Sequence, residues 1–375
     1  MAGYIFSLND IQALKTLIQY GVYSTNLSHP KNNLWKIHHE GTFADYFSMK
    51  AGDNVYFFIE RKIYGIGELV NIHFDCKFLN YPEADIPTIQ DYKSIKNKLL
   101  LNQNEDSLQN RFVCTFKPGP FFFEMGIDMD DVLASNPKSF RMLRAFWKLS
   151  FIKIDDEENK ALRDIILKRN EQYLNNTEGK FPFDSSLQKE IATKLTTKYT
   201  LSSNNVLLYS SHTDKIKHEM AVEAHIVDTI SRNSKSIFDS WDYVSHQVIA
   251  SPFKPIDYMD KMDVFGYRFI PGFDTISKYL LIEIKKDSAT KDAIDQIMKY
   301  VDWINQEYTF GDYSMIHAFL VAYDFSNETI AYRNEICKRN YTKGRRPTIA
   351  DVWENVRLIK YRYNPSTKTL DFEEV

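Results

Sequence analysis

The sequence predicts a two-domain protein of mixed α/β and α+β class: a barrel-like β domain first, then a compact α/β unit. Three observations carry this. At 375 residues the chain is too long for one small core. A stretch rich in Asn, Ser and Thr, residues 171–211, interrupts the regular patterning and reads as a polar connector. The region before it, 1–170, is dominated by strand signals, whereas 212–375 runs helix, three strands, helix, strand.

In the first region LNDIQALKTLIQYG predicts a helix capped by Asn9 and ended by Gly21. GDNVYFFIERKIYGIGELV predicts two strands joined at Arg61-Lys62. RFVCTFKPGPFFF adds a strand broken by Pro and Gly, and FRMLRAFWKLSFIKI leads into the charged helix DEENKALRDIILKRN. In the second region DKIKHEMAVEAHIVDTISRN predicts a helix, followed by the strands YVSHQVIAS, MDVFGYRFI and KYLLIEIKK. The amphipathic helix ATKDAIDQIMKYVDWINQEY comes next, then a strand (MIHAFLVAY), a helix (ETIAYRNEICKRN) and a last strand (NVRLIKYRY).

Composition narrows the function classes without choosing one. A 43% hydrophobic and 26% charged chain is ordinary for a globular protein, and no apolar run is long enough to span a bilayer. The N-terminus lacks a basic region followed by a hydrophobic stretch. Cys76, Cys114 and Cys337 are far apart with no metal-ligand spacing, so they read as core residues in a reducing cytoplasm. The formal net charge of -3 excludes a uniformly basic surface. It does not exclude nucleic acid, because a phosphodiesterase concentrates carboxylates at its own site.

The chemistry-bearing residues lie in the second region. Strand side chains alternate, so Glu283 and Lys285 share one face while Ile282 and Ile284 take the other. Asp263, at the start of the preceding strand, reaches the same spot if the two strands pair. Two carboxylates and the backbone carbonyl between Glu283 and Lys285 suit a hard cation such as Mg²⁺, which prefers oxygen and keeps several waters. A lysine beside them stabilises charge developing on a phosphate. The bare motif alone is better read as a solvated strand end. The apolar strand leading into Glu283, the helix with Gln296 and Tyr300 and the element order shift the reading to a nuclease site.

Asp263 followed by Glu283-Ile284-Lys285 resembles the signature of the PD-(D/E)XK nuclease superfamily, with Met262 where a Pro usually stands. Gln296 and Tyr300, one turn apart on the next helix, look like the Gln-x-x-x-Tyr element of the RecB-like branch. KYLLIEIKKDSATKDAIDQIMKYV is similar to the same segment of mismatch-directed endonucleases of this fold. The resemblance implies a restriction-endonuclease-like α/β core with Asp263, Glu283, Lys285, Gln296 and Tyr300 as catalytic residues. It also implies a metal site of Asp263, Glu283 and Glu223, with Glu219 behind, that takes Mg²⁺ or in its place Mn²⁺. Arg339, Lys343, Arg345 and Arg346 read either as phosphate contacts or as a solvated loop.

In the first region Gly52-Asp53 and Gly65-Ile66-Gly67, within GDNVYFFIERKIYGIGELV, resemble EVE and YTH members of the PUA-like superfamily. That resemblance implies a PUA-like β-barrel that flips out and reads a modified base in an aromatic pocket. Trp35, Trp147 and Phe57 are its pocket candidates, against the plainer reading that they fill the core. His38 and His39 read as surface residues. Together the two resemblances imply a Mg²⁺-dependent endodeoxyribonuclease directed to modified double-stranded DNA, acting in restriction and as a stable or transient dimer. The alternatives are a repair nuclease for mismatched or branched DNA, and a binding protein on an inactive nuclease fold.

Overall fold

The computed structural model describes residues 1–28, 30–32, 34–80, 111–140, 150–195, 198–232, 235–250 and 260–375. The chain divides into two compact units, Met1–Asn205 and Val206–Val375.

The first unit is built on one sheet. Its strands are β1 (Gly3–Ser7), β2 (Val22–Asn26), β3 (Asn54–Ile59), β4 (Lys62–Leu69), β5 (Lys77–Asn80), β6 (Arg111–Pro118), β7 (Ile127–Asp128) and β8 (Phe151–Ile154). Their order is β2-β6-β4-β3-β1-β8, with β5 beside β6 and β7 beside β4. Only the β1–β3 pairing in this sheet is parallel among the described residues. The sheet curls: Tyr23 of β2 and Phe151 of β8, on its two outer strands, bring their rings to 6.2 Å, and both pack on Phe6. Aromatic side chains fill the space inside, among them the fully buried Tyr4, Phe43, Tyr46, Phe57, Phe112, Phe116 and Phe122. Gly67 is required by this packing, since a Cβ there would meet the Phe122 ring at 2.4 Å.

Among the described residues the helices that accompany the sheet include α1 (Ile11–Tyr20), α2 (Ile37–Ser48), α3 (Met129–Ser135), α4 (Asp156–Arg169) and α5 (Ser186–Lys194). The start of α1 differs from expectation by one residue. Asp10, not Asn9, caps it, accepting from the Gln12 and Ala13 N–H groups, while Gly21 ends it in the left-handed region at φ 60°. Helix α4 opens with a reciprocal capping box between Asp155 and Glu158.

The segment 171–211, expected as a polar connector, contributes structure to the first unit over its greater part. Leu187 and Ile191, one turn apart on α5, are fully buried. Gln188 between them donates to the Gly21 and Phe116 carbonyls at 2.8 and 2.7 Å. Two apolar positions suffice to dock a short helix when a neighbouring amide also satisfies backbone carbonyls.

The second unit is organised by a six-stranded sheet. It contains β9 (Tyr243–Ile249), β10 (Lys261–Phe269), β11 (Ile276–Ala289), β12 (Ile316–Phe325), β15 (Val356–Asn364) and β16 (Thr369–Glu374), adjacent in that order. Strands β13 (Arg339–Arg345) and β14 (Thr348–Trp353) form a separate hairpin. The helices are α6 (Glu219–Ser231), α7 (Lys291–Ile304) and α8 (Asn327–Ile336). Strands β11, β12 and β15 are parallel, as crossover connections through α7 and α8 require, and the outer pairs are antiparallel. The central strands read as continuous apolar runs because they are buried on both faces. Sequence patterning missed the β13–β14 hairpin and β16.

The three cysteines are free and buried. Among the described residues no helix is long and apolar enough to cross a membrane.

Candidate active site

Three adjacent strands and one helix bring the carboxylates together. The register of β9 on β10 pairs His246 with Val264 and Val248 with Met262, which sets Gln247 opposite Asp263. The register of β10 on β11 ends at Val264–Ile282, and one further step sets Asp263 opposite Glu283. Gln247, Asp263 and Glu283 therefore form a row across the sheet, on one face of it. Helix α6 adds Glu223, with Glu219 one turn before it.

At this row the β10–β11 ladder gives way to a side chain. The Asp263 carboxylate accepts the Ile284 N–H at 2.8 Å through Oδ2, and its Oδ1 accepts from the Gln247 amide at 3.2 Å. Glu223 is buried and accepts from Gln247 at 3.0 Å on Oε1, while its Oε2 stands 3.1 Å from His246 Nδ1. Glu283 is wholly buried, deeper than a solvated strand end would be. Its Oε1 accepts from Lys285 Nζ at 2.6 Å, and its Oε2 has no hydrogen-bond partner. Glu219 accepts the Lys286 N–H at 3.1 Å.

The electrostatics follow from crowding acids in a dry place. Burial pushes Glu283 up to about 7 against the pull of Lys285, and Glu223 and Glu219 add to the rise. Asp263 is held well above the usual carboxylate range by burial, then by Glu283 and Glu223. Burial alone would lower Lys285, but Glu283, Asp263 and Glu219 hold it above its ordinary value. Tyr300 is raised by burial, and it also senses Glu283 and Asp263, which puts its hydroxyl in the field of the cluster. Gln296 donates to that hydroxyl at 3.0 Å, so the helical pair acts as one group.

Among the described residues no three His, Cys, Asp or Glu side chains are grouped closely enough to hold a metal ion by themselves. The donor set is an open one. A buried carboxylate oxygen without a partner, beside an Asp263 that burial, then Glu283 and Glu223, hold well above the carboxylate range, fits a divalent oxygen-loving cation that keeps several of its waters.

The other sequence candidates are dispersed. Trp35 is buried, edge-on to Phe43 at 5.6 Å between centroids. Phe57 is fully buried among Phe6, Phe116 and Phe122, which makes it part of the core and not a pocket wall. Trp147 lies outside the described residues. His38 is exposed as expected, but His39 is buried and its Nε2 accepts the Ser28 N–H at 3.1 Å. Burial, then His38 and Lys36, lower it to about 4, so it is neutral. Arg339 forks onto both oxygens of Asp302 at 2.8 Å and is committed within the fold. Lys343, 3.4 Å from Asp351, and Arg346 are exposed on the hairpin, and the Arg345 side chain lies outside the description.

Gln247 and His246 were missed by sequence reasoning. The missing signal is conformational: Gln247 has φ 52°, a left-handed value that nothing in YVSHQVIAS announces.

No protein-family model and no curated protein matches the chain. Solved structures similar to it include a repair endonuclease from Pyrococcus abyssi, at 20% identity and TM-score 0.22 over 33% of this chain and 46% of that one. The match thus spans less than half of the endonuclease chain. Human THYN1 protein in complex with 5-methylcytosine-containing DNA matches at 12% identity and TM-score 0.25, over 46% of this chain and 98% of that one. A hypothetical protein from Leishmania major matches at 12% identity and TM-score 0.26, over 46% and 96%.

Proposed function

We propose that the second unit is a metal-dependent endodeoxyribonuclease site that hydrolyses DNA phosphodiester bonds. The observation that carries this is Glu283: a wholly buried carboxylate with one oxygen unpartnered, beside Asp263 and Glu223 and touching Lys285. A structural ion pair would satisfy both oxygens; leaving one bare in the interior is costly unless a cation takes it. Asp263, Glu283, Glu223 and the Ile284 carbonyl would hold Mg²⁺, or Mn²⁺ in its place, with Glu219 behind them.

The bound ion supplies Lewis acidity to a phosphoryl oxygen and lowers the pKa of a water. The chain's own groups do the rest. Lys285 carries a firmly protonated ammonium to the mouth of the row, where it donates to charge developing on the phosphate. Its contact with Glu283 fixes where that charge sits. Gln296 and Tyr300 offer a hydroxyl already oriented by a neighbour, suited to positioning the nucleic-acid backbone. The buried apolar strand on either side of Glu283 excludes bulk water and strengthens each of these interactions.

For the first unit we propose recognition of a modified base, resting on the resemblance of its Gly52-Asp53 and Gly65-Ile66-Gly67 segment to PUA-like readers. The whole chain is then a modification-directed nuclease of the restriction type, with two copies needed for a double-strand cut. One plasmid, prepared unmodified and with cytosine or adenine modifications, tests this in the presence of Mg²⁺. One modified form should be cut preferentially, and Lys285→Ala should slow cutting by about 100- to 1000-fold. Equal cutting of every form would remove the reader while keeping the nuclease. Cutting unaffected by Lys285→Ala would remove the assigned site.

A further inference from the structure

Gln247 does something a strand residue ordinarily cannot. Consecutive strand side chains point to opposite faces, yet His246 and Gln247 both reach the Glu223 carboxylate, one to each oxygen. The cross-strand register already sets Gln247 on the row that holds Asp263, and the left-handed φ of 52° at Gln247 marks the break in alternation at this pair. Such a backbone is unfavourable for a residue bearing a side chain, and it persists only where the surroundings impose it. What it secures is a bridge: the one Nε2 donates to Glu223 Oε1 at 3.0 Å and to Asp263 Oδ1 at 3.2 Å. The reverse amide orientation would set a carbonyl against two carboxylates, so this orientation is the one that satisfies the site.

We infer that Gln247 is a positioning residue that holds Glu223 and Asp263 in register for a divalent cation. The inference rests on the metal-site reading of the second unit and adds to it. Each oxygen of these two carboxylates has one partner: His246 and Gln247 on Glu223, and Gln247 and the Ile284 N–H on Asp263. The outward lone pairs remain for the ion. Groups behind metal ligands act in this way, and their loss weakens metal binding by roughly 10- to 100-fold. Gln247 also keeps like charges apart while no ion separates them, because its two N–H groups lie between the acids.

The test is calorimetric titration of Mn²⁺ into the full chain for the natural protein, Gln247→Met, Gln247→Gly and Asp263→Asn, with a melting temperature for each. Met keeps the length and apolar stem but donates no hydrogen bond. Gly removes the side chain and relieves the backbone, so a purely structural role predicts equal or higher stability with unchanged affinity. The expected result is Mn²⁺ binding weakened about 10- to 100-fold in both Gln247 variants. The Gly variant should melt no lower than the Met variant. Affinity equal to or tighter than that of the natural protein in both variants would overturn the role of Gln247 and leave the metal site standing. No saturable Mn²⁺ binding by the natural protein, or binding undiminished in Asp263→Asn, would overturn the metal site and Gln247 with it.

Discussion

Both units bury charged side chains, among them Glu40, Asp75 and Lys77 in the first and Glu223, Asp228 and Glu283 in the second, but their densest clusters differ. The first packs neutral rings: Phe57 lies within 5.7 Å, centroid to centroid, of Phe6, Phe116 and Phe122, and the one histidine at the start of α2 that is buried, His39, is uncharged. The second buries acids side by side: burial, then Glu283 and Glu223, raise Asp263, while burial, then Glu223 and Glu219, raise Glu283 against the pull of Lys285. A ring cluster lowers the free energy of the fold wherever it sits. An acid cluster raises it, and is kept only where another partner completes it. The difference separates a core that holds a shape from one that holds a chemical task.

The largest effect expected is in the first unit. Phe57→Ala should cost about 3–5 kcal/mol, read as a fall in melting temperature or denaturation midpoint. A loss under about 1 kcal/mol would mean that Phe57 faces a cavity, and the contrast between the units would weaken.

The second prediction sets the units against each other in pH. Glu283 has a folded value near 7, above its ordinary 4.5, so its contribution is full below pH 4.5 and is lost as pH rises through 7. His39 has a folded value near 4, below its ordinary 6.5, so its contribution is full above pH 6.5 and is lost as pH falls through 4. In chelator-treated protein, Glu283→Gln should recover a few kcal/mol at pH 8 and little at pH 4. His39→Gln should flatten the acid side of the curve instead. Melting curves from pH 4 to 8.5 check both, and unchanged slopes in either variant would break the comparison.

The smallest effects belong to the hairpin. If Lys343 and Arg346 each meet a phosphate, replacing either with Ala should lower the slope of log affinity against log salt by about 1. Arg339→Ala should instead lower stability, by about 1 kcal/mol or somewhat more, through the lost fork onto Asp302. A salt slope that changes only with Arg339 would reverse these assignments.

The grouping of Asp263, Glu283 and Lys285 was legible because strand alternation and an apolar run are written directly in LLIEIKK. Glu223 was harder, since helix spacing brings it near the sheet only once α6 is docked. Gln247 was not legible, because its place opposite Asp263 follows only from the β9–β10 register and its left-handed backbone breaks the strand pattern. The β13–β14 hairpin hid behind KGRRP, whose charges suggested an open loop although its backbone pairs from Arg339 to Trp353. His39 followed an exposed neighbour and was read like it. A helix buries one of two adjacent residues more often than both, and pattern alone does not say which.

Gln188 has a practical consequence for anyone who would cut the molecule in two. A fragment ended at residue 170, where the regular patterning of the first region stops, would lack the amide that caps the Gly21 and Phe116 carbonyls. It would also expose the apolar seat now covered by Leu187 and Ile191. Such a piece invites aggregation whatever its ligand. The first unit carries its own cover only when it runs to Asn205.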